Sequence, residues 1–197
     1  MATSGRGGAS GDFAVTRFMA KVDALGGIAR KNRFSVEITP PRTLVSEVDA
    51  SAINFLAKSV SFPARTMGST NYRSGGKFGL EVPYETTFEA VGLTMMNTND
   101  HSPRKFWTSW FDHIMNMDYR GVSATTYNMQ YYKNFTGTIK ISHYAEDMML
   151  ASPRQSEYRV ILHDAWPKTL SAMELGWEDS ELSQFDIDIA YSRWTEE

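Results

Sequence analysis

Two stretches of this chain alternate apolar and polar residues one by one, and that alternation narrows its fold more than any other feature. In 33–39, Phe34, Val36 and Ile38 stand against Arg33, Ser35 and Glu37; in 184–191, Phe185, Ile187, Ile189 and Tyr191 stand against Gln184, Asp186 and Asp188. Successive side chains on a strand point to opposite faces, so each stretch reads as a strand with one face buried and one in water. Such half-buried strands belong to antiparallel sheets, because parallel sheets are covered on both faces and carry continuous apolar runs.

The same reading extends along the chain. Thr136–Tyr144 sets Ile139 and Ile141 against Thr138, Lys140 and Ser142, and Glu85–Met96 places Val91, Leu93 and Met95 on one side. Residues 53–62 read as a strand closed by Pro63, and 157–162 as a strand leading to a Trp166-Pro167 turn. Ser171–Trp177 and Ser183–Trp194 read as a closing pair, Asn71–Gly76 as a loop or hairpin tip, and Tyr119–Tyr132 as a long loop or irregular arm. Ser102-Pro103 predicts a helix start, with Ser accepting a bond from a free backbone N–H, and the helix runs over about 102–116. Its stripe of Phe106, Trp107, Trp110, Phe111, Ile114 and Met115 has core spacing rather than the look of a cofactor pocket. About seven strands without strand-helix alternation predict a mainly β antiparallel sandwich or open barrel with one flanking helix.

At 197 residues with 42% hydrophobic content, the chain can bury a core of its own, and one β domain over 31–197 is expected. Residues 1–12 are Gly-rich and almost free of apolar groups, which predicts a flexible arm over 1–30. Within that arm Val15, Phe18, Met19, Val22 and Leu25 share one face of a short helix stopped by Gly26-Gly27. A net charge of -3 argues against a protein built to grip phosphate backbones. No cysteine is present, which removes disulfides, thiolate metal sites and Cys nucleophiles together. No apolar run approaches the ~18 residues of a membrane span, so no membrane partner is expected.

Catalytic patterns are weak. His101, His113, His143 and His163 stand at no metal-binding spacing, and Gly75-Gly76-Lys77 lacks the upstream Gly and the following Ser or Thr of a phosphate loop. Tyr131-Tyr132-Lys133-Asn134-Phe135 has the interleaved aromatics of a single-strand binder without a basic groove. Asp186 and Asp188 could be drawn as the acid and base of a glycan hydrolase, but on a strand they share one side, and a solvated face is the plainer reading. No enzyme activity, metal or cofactor is expected.

Several pieces in fixed order carry a resemblance. They are Asn32-Arg33-Phe34, Phe62-Pro63, Phe88 through Asn97 leading into Arg104, Phe106 and Trp110, then Leu162 with Trp166-Pro167, and Gly176-Trp177-Glu178-Asp179 before a last strand ending at Trp194. From Asn32 to Trp194 the chain resembles the tail tube protein of contractile-tailed phages. It departs in its longer extension before Arg30 and in its Tyr-rich segment at 121–132. The resemblance implies hexameric rings stacked into the inner tube of a phage tail, assembled in host cytoplasm and built into the virion. Its implied partners are sheath protein outside, tape-measure protein and then double-stranded DNA inside, and baseplate tube proteins at one end. A baseplate tube initiator of the same fold, or the tube of a contractile bacteriocin or secretion machine, is the alternative. On this reading Arg33, Glu37, Lys140, Gln184, Asp186 and Asp188 are candidates to face the lumen. Phe13, Phe18, Met19, Val22, Leu25, Val45, Val48, Tyr72 and Arg73 are candidates to contact the next ring.

Overall fold

A computed structural model describes residues 15–24, 27–44, 50–73, 75, 78–115, 129–144, 157–173, 175–177 and 181–197. These fall into two units. The larger is Phe34–His143 with Tyr158–Glu197, and the smaller takes the described residues of Met1–Arg33 and Tyr144–Glu157.

In the smaller unit, helix α1 spans Val15–Ala24. Gly27, in the left-handed region at φ 88°, turns its N–H back onto the Val22 carbonyl at 2.9 Å and closes the helix end.

The larger unit is built on β1 (Phe34–Thr39), β2 (Ala57–Val60), β3 (Arg65–Tyr72), β4 (Leu80–Phe88), β5 (Val91–Met96), β6 (Gly137–Tyr144), β7 (Glu157–Leu170), β8 (Gln184–Ala190) and β9 (Arg193–Glu196). Helices α2 (Ala50–Ile53), α3 (Ser102–Met115) and α4 (Tyr132–Phe135) flank them. One sheet runs β1-β6-β7-β8-β5-β2 with β9 added on β7, and β3 and β4 form a separate two-stranded ribbon. The pairings of known register are antiparallel, as the alternation predicts.

β7 joins the two halves of the large sheet. Its Val160–His163 segment pairs with β9, while Trp166–Leu170 pairs with β8. Between them Asp164 takes φ 52°, and Ser192, at the break between β8 and β9, donates its N–H to the His163 carbonyl and its Oγ to Asp164 Oδ2. The Trp-Pro pair is therefore no turn. It lies inside β7, and Pro167 is tolerated beside a register shift where the ladder is already irregular. The closing partner of β8 is likewise the end of β7, continued by Ser171, whose N–H donates to the Asp186 carbonyl and whose Oγ accepts the Asp186 N–H.

Alternate residues of the strands fill one core: Val36 and Ile38, Val91, Leu93 and Met95, Ile139 and Ile141, Val160 and Leu162, and Phe185, Ile187 and Ile189. α3 closes it with Phe106, Trp107, Trp110 and Ile114. Trp107 and Trp110 stack with centroids 5.5 Å apart, and Trp110 Nε1 donates to the Phe135 carbonyl at 2.8 Å. Each such side chain removed from water contributes roughly 1.5–3 kcal/mol.

Three further expectations are corrected. The stretch 53–62 is a strand only from Ala57, since Ala50–Leu56 turns helically to put Ile53 in the core. Glu85–Met96 is two strands broken at Glu89-Ala90. The start of α3 is capped by Asp100, not Ser102: the carboxylate accepts from Ser102 Oγ, from Thr98 Oγ1 and, at 3.4 Å, from the Ser102 N–H. The Tyr-rich segment expected over 119–132 lies outside the described residues up to 128.

Candidate assembly surfaces

Apart from its tip and the Glu85–Phe88 end of its second strand, the β3–β4 ribbon is the feature sequence reasoning missed. Arg65 pairs with Phe88 at its root and Tyr72 with Leu80 near its end, and a register shift falls between Gly68 and Ser69. The Tyr84 ring lies over Gly68, where a Cβ would stand 3.2 Å from it and the ring would have to give by a few tenths of an ångström. Every β3 and β4 residue is exposed apart from Gly68 and Phe88, with Tyr84 at 68%, Leu80 at 66% and Met67 at 60%. With neither face buried, the alternation that marks a strand has no cause to appear. Two strands alone are marginally stable in water, so a ribbon carrying this much exposed apolar surface is suited to packing against something else.

The large sheet ends on β1 at one side and β2 at the other. An edge strand can pair with another chain, although on β1 the outward Ile38 N–H already donates to Asn54 Oδ1 at 2.9 Å.

Its polar faces hold the lumen candidates, divided between two places. Glu37 and Lys140 are cross-strand partners on β1 and β6, 3.3 Å apart as a surface ion pair. Gln184, Asp186 and Asp188 line the exposed side of β8, opposite the buried Phe185, Ile187 and Ile189. There Thr94 Oγ1 donates to Asp186 Oδ1 at 2.7 Å, Lys58 Nζ donates to Gln184 Oε1, and Asp188 stands across from Gly92. Arg33 lies just before β1 and belongs to the smaller unit. Asp186 and Asp188 sit in a row on one strand face, an arrangement that cannot flank a glycosidic bond from two sides.

Of the stacking candidates, Phe18 and Met19 are exposed on α1 at 44% and 53%, Val22 is half-buried, and Tyr72 and Arg73 are exposed at the ribbon end. Phe13, Leu25, Val45 and Val48 lie outside the described residues.

A family model described as phage tail tube protein matches residues 29–197. The chain belongs to the phage tail tube protein family. A tail tube protein of Serratia phage KSP90 is 23% identical over 181 residues, covering 90% of this chain and 93% of that one. Among solved structures, a chain of the extended sheath–tube complex of the extracellular contractile injection system PVC superposes with TM-score 0.59 at 13% identity, covering 90% of this subunit and 96% of that chain. A chain of the anti-feeding prophage baseplate gives 0.55 at 15% identity, over 86% and 95%. At those identities the likeness establishes a shared tail tube fold, the mainly antiparallel architecture with a flanking helix that the alternation predicts.

Proposed function

We propose that this tail tube subunit closes into rings of six, that the rings stack into the inner tube of a contractile phage tail, and that the tube conducts DNA without any bond chemistry. The observation that carries this reading is the β3–β4 ribbon, solvent-exposed on both faces and rich in apolar side chains, beside a sheet that ends on β1 and β2. A closed ring of identical copies satisfies such margins without leaving a free end.

The lumen is assigned to the outer face of β8 and β5, where Asp186 and Asp188 are only partly offset by Lys58 and a wall of this kind does not hold phosphates. Glu37 and Lys140 neutralise one another and add no net charge wherever they face. α1 and the ribbon end, with Tyr72 and Arg73, supply contacts to the next ring. Sheath protein packs outside, the tape-measure protein occupies the bore before DNA, and baseplate tube proteins start the stack. Assembly takes place in the host cytoplasm.

Negative-stain imaging of the purified chain tests this directly. Six-fold rings or stacked cylinders are expected, and a Leu80→Ser, Tyr84→Ser double variant should give none while keeping the melting temperature of the dilute subunit, because both side chains are exposed there. Monomers at every concentration of the unaltered chain, with few copies per virion, would refute it. Tubes that form only on added baseplates would identify the initiator instead.

A further inference from the structure

We infer that Arg65 is a latch that aims the β3–β4 ribbon before any second copy arrives. The β2–β5 and β3–β4 ladders form one long ribbon with an interruption: Val60 pairs with Leu93 on one side of it, Arg65 with Phe88 on the other. The two connections are unequal, Ser61–Ala64 on one leg and Glu89-Ala90 on the other. Ser61 still donates its N–H to the Gly92 carbonyl and accepts the Gly92 N–H on its Oγ, but the ladder lapses over Phe62–Ala64 before Arg65 pairs with Phe88, and a two-stranded element exposed on both faces gets little direction from the core.

Arg65 spans this interruption. Its guanidinium carbon lies 5.7 Å from the centroid of the Phe88 ring, its partner in the first rung of the ribbon, and 5.0 Å from that of Trp194 on β9. Phe88 in turn meets Tyr191 with centroids 6.0 Å apart. Tyr191 and Trp194 both pack on the hydrophobic core, and Trp194 is held in register opposite Leu162 of β7. A continuous set of ring contacts thus runs from the ribbon root through one guanidinium to the rigid sheet. The planar guanidinium suits two aromatic faces in a way that a hydrated ammonium does not. Two partly exposed cation–π contacts together favour the aimed orientation about 5–30-fold over unlatched ones.

The latch is a property of the single subunit; its use in assembly rests on the ring-forming reading above. Because the chain has no cysteine, spin labels can be placed at Asn71→Cys on the ribbon and Lys168→Cys on β7 without other changes. In dilute subunits with Arg65 intact, electron–electron resonance should give one narrow distance distribution. Arg65→Ala should broaden it and Arg65→Lys should fall between. Trp194→Leu, which keeps an apolar side chain on the core, should broaden it as well. An unchanged distribution in Arg65→Ala would overturn the latch. Arg65→Ala should also raise the critical concentration for tube formation about 5–30-fold. Broadened distances with an unaltered critical concentration would overturn its role in assembly. If the unaltered chain forms no tubes, the ring-forming reading fails while the distances still decide the latch.

Discussion

Gly137→Ala should lower the stability of the folded subunit, against the usual sign for removing a glycine. Where space allows, Gly→Ala stabilises by about 0.4–1 kcal/mol because the unfolded chain loses freedom. At Gly137 a Cβ would stand 2.5 Å from the Thr39 carbonyl oxygen and 3.0 and 3.1 Å from Cη2 and Cζ2 of Trp110. The nearest obstacle is backbone, the carbonyl at the end of β1, and it must retreat to at least 3.0 Å for the methyl to fit. β1 and β6 share the Thr39–Thr138 rung next door, so that retreat pulls on the ladder and on the core residues Ile38 and Ile139 behind it. Overpacking of this kind costs about 1–3 kcal/mol, a fall of roughly 2–12 °C in melting temperature for a chain of this size. Gly92→Ala is the internal control: its Cβ would meet only Ser61 Oγ at 3.7 Å and Asp188 Oδ1 at 4.0 Å, so it should be neutral or mildly stabilising. Thermal unfolding followed by circular dichroism on dilute subunits measures both. Trp110→Phe should not rescue Gly137→Ala, because the carbonyl remains the closer contact. Equal melting temperatures for the two Gly variants, or rescue by Trp110→Phe, would refute the argument.

Two further outcomes follow from the polar surface. Hydrogen bonds from Ser102 and Thr98 hold the Asp100 carboxyl down at about 2 from its ordinary 3.8. The folded value is the lower one, so its support for the start of α3 is fully present above pH 3.8 and fades as the pH falls through 2. An NMR titration should show that midpoint moving up toward 3.8 in Ser102→Ala, and a wild-type midpoint already near 3.8 would contradict the capping geometry. Replacing Asp186 and Asp188 together by Lys should yield tubes that retain double-stranded DNA at 50 mM salt and release it at about 200 mM, whereas unaltered tubes retain none. Co-sedimentation reads this out, and equal retention by both would remove that face from the bore.

The division between what could be read from residues and what could not follows burial. Residues 34–39, 137–144 and 184–190 declared themselves because one face of each is in the core, and burial is what selects a two-residue period. The aromatic stripe of α3 was legible for the same reason at helical spacing: Phe106, Trp107, Trp110 and Ile114 are all buried. By itself the sequence therefore determined a mainly antiparallel fold, its flanking helix, most of its core and its resemblance to tail tube proteins. It could not show that Arg65–Tyr72 is a strand or that the strand ending at Phe88 begins at Leu80, since an exposed ribbon puts no apolar demand on alternate positions. Nor could it show Pro167 inside β7, where the strand changes partner at a bend made by Asp164, or that the polar candidates divide between the β1–β6 pair and β8. Those depend on which strand lies beside which, a long-range choice that only the closed core decides.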